Sequence, residues 1–199
     1  MLILKKVLLK YRFGIALVIG LSIGFISARS TYSYVADKKW AGSSAKYGFA
    51  SNVPGGAWRD RAINAVNAWN NVSTSSWTWT YSSIDADGEV AYENVDGLGG
   101  TLGITYTGPR CTNNSVCTFN IYVDNSEPWY TGISSPTTSQ LDLQSNLTHE
   151  FGHAAWANHT NLTCTANSGP TMCGDLFKGT THQRTLEQDD RDGITSKYP

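Results

Sequence analysis

Residues 149–159 read His-Glu-Phe-Gly-His-Ala-Ala-Trp-Ala-Asn-His and contain three of the four histidines of the chain. On a helix, His149 and His153 are one turn apart and project from the same face. Two imidazoles placed in this way can bind one zinc ion, and Glu150, beside the first of them, can reach a water on that ion. His159 completes a set of three nitrogen ligands and leaves a fourth position open, which is typical of a catalytic zinc rather than a structural one.

The surroundings of this motif resemble those of the metzincin metallopeptidases. Their pattern is His-Glu-x-x-His-x-x-Gly-x-x-His, followed by a turn that contains a methionine beneath the zinc. Met172 follows His159 in the segment Pro-Thr-Met-Cys-Gly at 170–174. A His-Glu-x-x-His match alone also occurs in helices that are only amphipathic, but the third histidine and the methionine make that alternative less favoured. The resemblance implies that Met172 supports the zinc site from below without being a ligand.

One position departs from the metzincin pattern, because Trp156 stands where the family has glycine. Glycine lets the chain leave the helix in a backbone conformation that is costly for a residue with a Cβ atom. Either Trp156 bears that cost or the helix ends differently, and Asn158 tolerates the left-handed region better. A downstream carboxylate, Asp175 or Glu187, is the competing third ligand, although the spacing favours His159.

The N-terminal segment has the pattern of a secretory signal peptide. Four basic residues precede or begin an almost wholly apolar run that ends near residue 26, and Ala28 is a small residue suited to cleavage. We therefore expect a signal peptide at 1–28 and one domain at 29–199, with an uncleaved membrane anchor as the alternative because the apolar run is slightly long. Without residues 1–28 the chain has 11 Lys and Arg against 16 Asp and Glu, a net charge of −5. This balance gives no electrostatic basis for binding nucleic acid or an anionic membrane surface.

An even number of four cysteines is consistent with disulfide formation in an oxidising compartment. They form two close pairs along the chain, Cys111 with Cys117 and Cys164 with Cys173. Three connectivities are possible, and the local pairing is preferred. The Cys164–Cys173 bridge would then close part of the loop that follows the zinc motif. The alternative, in which one cysteine is a zinc ligand or a nucleophile, is less favoured by the even count.

Hydrophobic periodicity predicts an α+β domain. A first helix is predicted at 57–71, where Ile63, Val66 and Trp69 recur at helical spacing, a zinc-site helix at 140–157 with Ser139 as its N-cap, and a C-terminal helix at 186–198. Strands are predicted near 46–50 and at 77–81, 89–92, 102–106 and 117–123. The resemblance to the metzincins further implies a metzincin-like catalytic domain with a mixed twisted sheet.

Four further stretches narrow the resemblance to the matrixin branch of the metzincins. They are Ala-Ile-Asn-Ala-Val-Asn-Ala-Trp at 62–69, Asp-Gly-Leu-Gly-Gly-Thr-Leu-Gly at 96–103, Asp-Asn-Ser-Glu-Pro-Trp at 124–129 and Leu-Glu-Gln-Asp-Asp at 186–190. By this resemblance Asp96, Asp124 and Glu127 are candidate calcium ligands, with solvated acidic turns as the alternative. Leu102 and Gly103 would belong to an edge strand that binds an extended substrate.

The resemblance also implies that a second, structural zinc is missing. Ile104 and Tyr122 stand where matrixins have two of the histidines that hold it. We therefore expect one zinc ion, the catalytic one.

These features predict a secreted, extracellular zinc-dependent endopeptidase, in which a zinc-bound water hydrolyses peptide bonds with Glu150 as general base. We expect a protein or peptide substrate, a monomer, no nucleic-acid partner and no membrane association after removal of the signal peptide. Glycans on the sequons at Asn146 and Asn158 would crowd the zinc helix, which favours a bacterial source. The alternative, left open by Trp156, is a secreted zinc-binding interaction module or toxin-like module without turnover.

Overall fold

A mixed β-sheet and three helices make up the described part of the chain, residues 39–108 and 115–199 of a computed structural model. The helices are α1 (Ala57–Asn70), α2 (Leu143–Ala155) and α3 (Gln188–Lys197). The strands are β1 (Ser44–Phe49), β2 (Thr78–Tyr81), β3 (Gly88–Glu93), β4 (Gly103–Thr107), β5 (Phe119–Asp124), β6 (Trp129–Tyr130) and β7 (Leu141–Asp142). The predicted α+β class is confirmed. None of the helices within these ranges is long and apolar enough to cross a membrane.

The five-stranded sheet has the order β2-β1-β3-β5-β4, which places β4 at an edge. Strands β1, β2, β3 and β5 run parallel, and β4 is antiparallel to β5. All five predicted strands are present, with their ends displaced by one or two residues. The short parallel pair β6 and β7 was not predicted, because two residues carry no readable alternation. The free side of the edge strand β4 lines the cleft described below.

Helix α1 packs against α2 through small and aromatic side chains. Ala62, Ala65, Val66 and Trp69 are buried at the i, i+3, i+4, i+7 positions of one face. The indole Nε1 of Trp69 donates a hydrogen bond of 2.8 Å to a backbone carbonyl of α2. Ile63, which the apolar spacing grouped with Val66 and Trp69, is 42% exposed, because it lies one position away from this face.

Helix α2 begins at Leu143 and is capped by Asp142, so the predicted N-cap, Ser139, is wrong. The Asp142 carboxylate accepts a hydrogen bond of 2.8 Å from the backbone N–H of Ser145. It also accepts one of 3.0 Å from Nε of Arg184, with which it forms a largely buried ion pair. Because β7 occupies the two residues before Leu143, the helix cannot begin earlier. The start of the metal-site helix is thus held by a charged pair far apart in sequence.

Candidate metal centre

The structure brings His149, His153 and His159 together. One ring nitrogen from each lies within 4.8 Å of the others, and among the described residues this is the only such group of three or more His, Cys, Asp or Glu side chains. The Nε2 atoms of His149 and His159 are 3.2 Å apart. Two nitrogens at about 2.0–2.1 Å from one tetrahedral zinc are about 3.3–3.4 Å apart. The three imidazoles therefore fit a single zinc ion.

Backbone carbonyls fix which nitrogen of two imidazoles faces the centre. Nδ1 of His149 donates to the carbonyl of Thr171, and Nδ1 of His153 donates to the carbonyl of Ala157, each at 2.7 Å. With the ring proton on Nδ1, Nε2 keeps its lone pair for a metal. Burial and the neighbouring His153 lower the pKa of His149 to about 3, so its imidazole is neutral at physiological pH. His149 therefore has the protonation state that zinc requires of a ligand.

The helix exit at Trp156 does not need the glycine of the family pattern. Trp156 has φ −174°, which is extended backbone that any residue adopts. The last turn of α2 is capped by side chains instead. The indole Nε1 of Trp40 donates to the carbonyl of Ala154, and the hydroxyl of Tyr198 donates to the carbonyl of Ala155, each at 2.8 Å. The helix ends differently from the family pattern, and the chain still brings His159 to the centre.

A turn that contains Met172 lies directly beneath α2. A Cβ atom on Gly152 would overlap the sulfur of Met172, so the glycine allows the helix to rest on the turn. The Asp190 carboxylate of α3 accepts hydrogen bonds from the backbone N–H groups of Thr171 (2.7 Å) and Met172 (3.2 Å). The Met172 carbonyl accepts one of 2.8 Å from the N–H of Thr160, the residue after His159. The turn therefore connects α3 to His149, through the Thr171 carbonyl, and to the segment that carries His159, through the Met172 carbonyl.

Asp190 and Thr171 were not singled out as site residues by the sequence analysis. Asp190 lay in the acidic stretch that resembles the matrixin C-terminal helix, but its contact with the methionine turn is non-local. Thr171 acts through its backbone carbonyl, which no side-chain pattern reveals. Of the two competing ligands, Asp175 lines the cleft and Glu187 is the N-cap residue of α3; neither belongs to the histidine group.

The structure has the predicted disulfide between Cys164 and Cys173, with Cα atoms 6.0 Å apart. It closes the loop between His159 and Met172. Cys111 lies outside the described residues, so the Cys111–Cys117 pair stays a prediction.

Glu150 and the histidines line one cleft of about 700 Å³ between the free edge of β4 and helix α2. Leu102 and Gly103, the predicted substrate-binding residues, line the same cleft. The Glu150 side chain is buried, and its Oε2 accepts a hydrogen bond of 2.6 Å from the hydroxyl of Thr105. Burial raises the pKa of Glu150 to about 7, and the Thr105 hydrogen bond opposes the rise. Thr105 was not predicted, although the two-residue repeat of a strand places it on the same face as Gly103.

The candidate calcium ligands are engaged by backbone N–H groups. The Asp124 carboxylate accepts hydrogen bonds from the N–H groups of residues 95–97 and of Ser126. Glu127 accepts one from the N–H of Gly99, and Asp96 accepts from the backbone and hydroxyl of Thr101. These bonds stabilise the glycine-rich loop by themselves. Calcium binding by the three carboxylates stays a prediction.

A zinc-ligand helix that bears a glutamate and rests on a methionine turn is the arrangement that defines the metzincin class of metallopeptidases. Within that class, the matrixin family model matches residues 39–199, and the chain belongs to the matrixins, which are zinc metalloendopeptidases. A search among curated proteins gave no significant match.

Proposed function

We propose that the chain is a secreted zinc endopeptidase in which Glu150 acts first as general base and then as general acid. The observation that carries this proposal is the position of the Glu150 carboxylate. It is buried, adjacent in sequence to His149, and lines the same cleft as the three imidazoles. A carboxylate at this place can exchange a proton with a water or an amine bound in the cleft.

The reaction needs one proton to be taken and one to be given. His149, His153 and His159 would hold the zinc ion, which when bound would act as a Lewis acid on a carbonyl and a water. Glu150 accepts a proton from the attacking water while the water oxygen bonds to the scissile carbonyl carbon. When the C–N bond breaks, Glu150 returns that proton to the leaving nitrogen. A carboxyl group with a pKa raised to about 7 is suited to both transfers near neutral pH.

The substrate is proposed to lie extended along β4. Among the described residues this strand pairs only with β5, so its outer edge is available there for pairing with a peptide strand. Leu102 and Gly103 lie where this edge meets the cleft. Backbone pairing of this kind gives affinity that does not depend on the side chains of the substrate. Residues 173–176 and 178, which also line the cleft, are proposed to select among those side chains.

Hydrolysis of casein tests the catalytic proposal. We expect activity in the wild type, loss with a zinc chelator and recovery on adding zinc. Glu150→Ala should lower the rate at least about 100-fold while zinc content is unchanged. Glu89→Ala, which removes an exposed carboxylate on β3, is the matched control and should behave as the wild type. Casein hydrolysis that persists both in the presence of the chelator and in Glu150→Ala would contradict the proposed mechanism.

Export and state of assembly are the remaining parts of the proposal. The basic and apolar pattern of residues 1–28 supports a cleaved signal peptide, and we propose a monomer in the medium of a bacterial host. N-terminal sequencing of secreted protein should begin at Arg29, and size exclusion should give the mass of one chain. Full-length protein retained in the membrane fraction would favour an uncleaved anchor instead.

A further inference from the structure

Thr105 on β4 contacts the Glu150 carboxylate. Its hydroxyl is 2.6 Å from Oε2 of Glu150 and 3.1 Å from the backbone carbonyl of the same residue. The hydroxyl has one proton to donate, and the nearer carboxylate oxygen is the stronger acceptor when it is ionised. The hydrogen bond therefore joins the edge strand to the glutamate side chain.

Gly103, two residues before Thr105, makes room for the other carboxylate oxygen. A Cβ atom on Gly103 would lie 2.9 Å from Oε1 of Glu150 and 2.8 Å from Nδ2 of Asn146. Both distances are shorter than ordinary contacts of a Cβ atom. The carboxylate is thus packed against strand backbone on the Oε1 side and hydrogen-bonded on the Oε2 side. These two contacts restrict rotation of the carboxylate plane.

We propose that Thr105 is a positioning residue for peptide hydrolysis, which holds Oε2 of Glu150 so that Oε1 is the atom that accepts and returns the proton. The inference rests on the proposed role of Glu150. An ionised carboxylate has two equivalent oxygens, and a donor on one of them leaves the other for proton transfer. Fixing the geometry of a catalytic group before the substrate arrives lowers the barrier to the chemical step.

The test compares side chains that differ by one oxygen. Thr105→Val keeps the shape of threonine and removes the hydroxyl, whereas Thr105→Ser keeps the hydroxyl. Thr107→Val makes the same change two residues along the same strand and is the control. For each variant, kcat and KM are measured on one peptide substrate, together with zinc content and the unfolding midpoint.

We expect kcat of Thr105→Val to fall about 10- to 100-fold, the effect of losing a hydrogen bond to a charged group. KM should stay within about twofold and zinc content should not change. Thr105→Ser should recover most of kcat, and Thr107→Val should match the wild type.

Three results would overturn the inference. They are wild-type kcat in Thr105→Val, an equal loss in Thr105→Ser, and a loss accompanied by lower zinc content. If Thr105→Val does not fold, the comparison of Thr105→Ala with Thr105→Ser decides in the same way. Failure of the proposed function itself would look different, because Glu150→Ala would then cleave as well as the wild type.

Discussion

Trp156 lies at the point where the end of α2 meets α3. Its indole is fully buried, although the preceding helix has already ended. A Cβ atom on Gly193 of α3 would overlap the six-membered part of this ring. The large side chain of Trp156, just after the end of α2, and the missing side chain of Gly193, in the middle of α3, are therefore complementary. This pairing explains how a tryptophan is accommodated at a position where a small residue is the family pattern.

Gly193→Ala tests this complementarity. In a helix with open surroundings, replacing glycine by alanine raises stability by about 0.5–1 kcal/mol. Here we expect the free energy of unfolding to fall by about 1–3 kcal/mol, because the new methyl group overlaps a close-packed ring. The cost should be smaller in a Trp156→Phe background, since the two changes share one contact. Gly42→Ala, whose Cβ would meet no atom within 4 Å, is the control. Urea denaturation measures the free energy of unfolding of Gly193→Ala, Trp156→Phe, the double variant and Gly42→Ala. A gain in stability on Gly193→Ala in the wild-type background would contradict the close packing of this residue against Trp156.

Helix α2 is the element on which the site depends, and the two ends of this helix are held by different chemistry. Asp142 and Arg184 form the ion pair at its start, and the Arg184 guanidinium also donates to the carbonyls of residues 132–134. Side chains from the two ends of the described domain cap its last turn. Residues distant in sequence hold both ends, Arg184 through the Asp142 cap at the start and Trp40 and Tyr198 at the last turn, which fixes the helix relative to the rest of the fold.

Asp142→Ala should lower the free energy of unfolding by about 3 kcal/mol, because it removes both the helix N-cap and the carboxylate that pairs with the largely buried Arg184 guanidinium. Loss of an ordinary N-cap costs only about 1 kcal/mol. The exposed pair of Lys46 and Asp85 is the matched comparison, and Asp85→Ala should change stability by less than about 1 kcal/mol. Denaturant titrations measure both changes in the free energy of unfolding. Equal changes for Asp142→Ala and Asp85→Ala would show that burial of the Asp142 pair does not add to stability.

The part of the site that could be predicted from sequence is the part that lies on one helix. His149, Glu150 and His153 follow from the helical repeat alone. The position of His159 depends on how the chain leaves the helix, and the caps on that turn come from Trp40 and Tyr198, which no local spacing reveals. Thr105 and Asp190 are ordinary residue types whose roles come from tertiary contacts. The N-cap was misplaced for a similar reason, since the short strand β7 delays the start of the helix.

At the scale of the whole molecule, resistance to acid should depend on the loop around Asp124. Burial by itself would raise the pKa of this carboxyl, but hydrogen bonds from the N–H groups of Ser126, Asp96 and Gly97 outweigh it and hold the pKa at about 2. The ordinary value is 3.8. The carboxylate therefore contributes stability that is fully present above about pH 4 and is lost as the pH falls through about 2.

In Asp124→Asn we expect lower stability at neutral pH and a weaker dependence of the unfolding midpoint on pH between 4 and 2. Thermal scans across this range, in the presence of a calcium chelator, measure both effects. Asp60→Asn, on the exposed surface of α1, is the control. A variant that loses stability on acidification as steeply as the wild type would show that other carboxyl groups dominate.

The caps on α2 also set an order in time. Trp40 and Tyr198 are 158 residues apart, and the backbone N–H of Trp40 donates to the Tyr198 hydroxyl at 3.1 Å. A contact between residues so far apart in sequence forms late in folding, because closing the long loop costs entropy before the contact is made. The end of the metal-site helix is therefore satisfied only when the two ends of the described domain have come together, so this turn should be among the last parts of the fold to form.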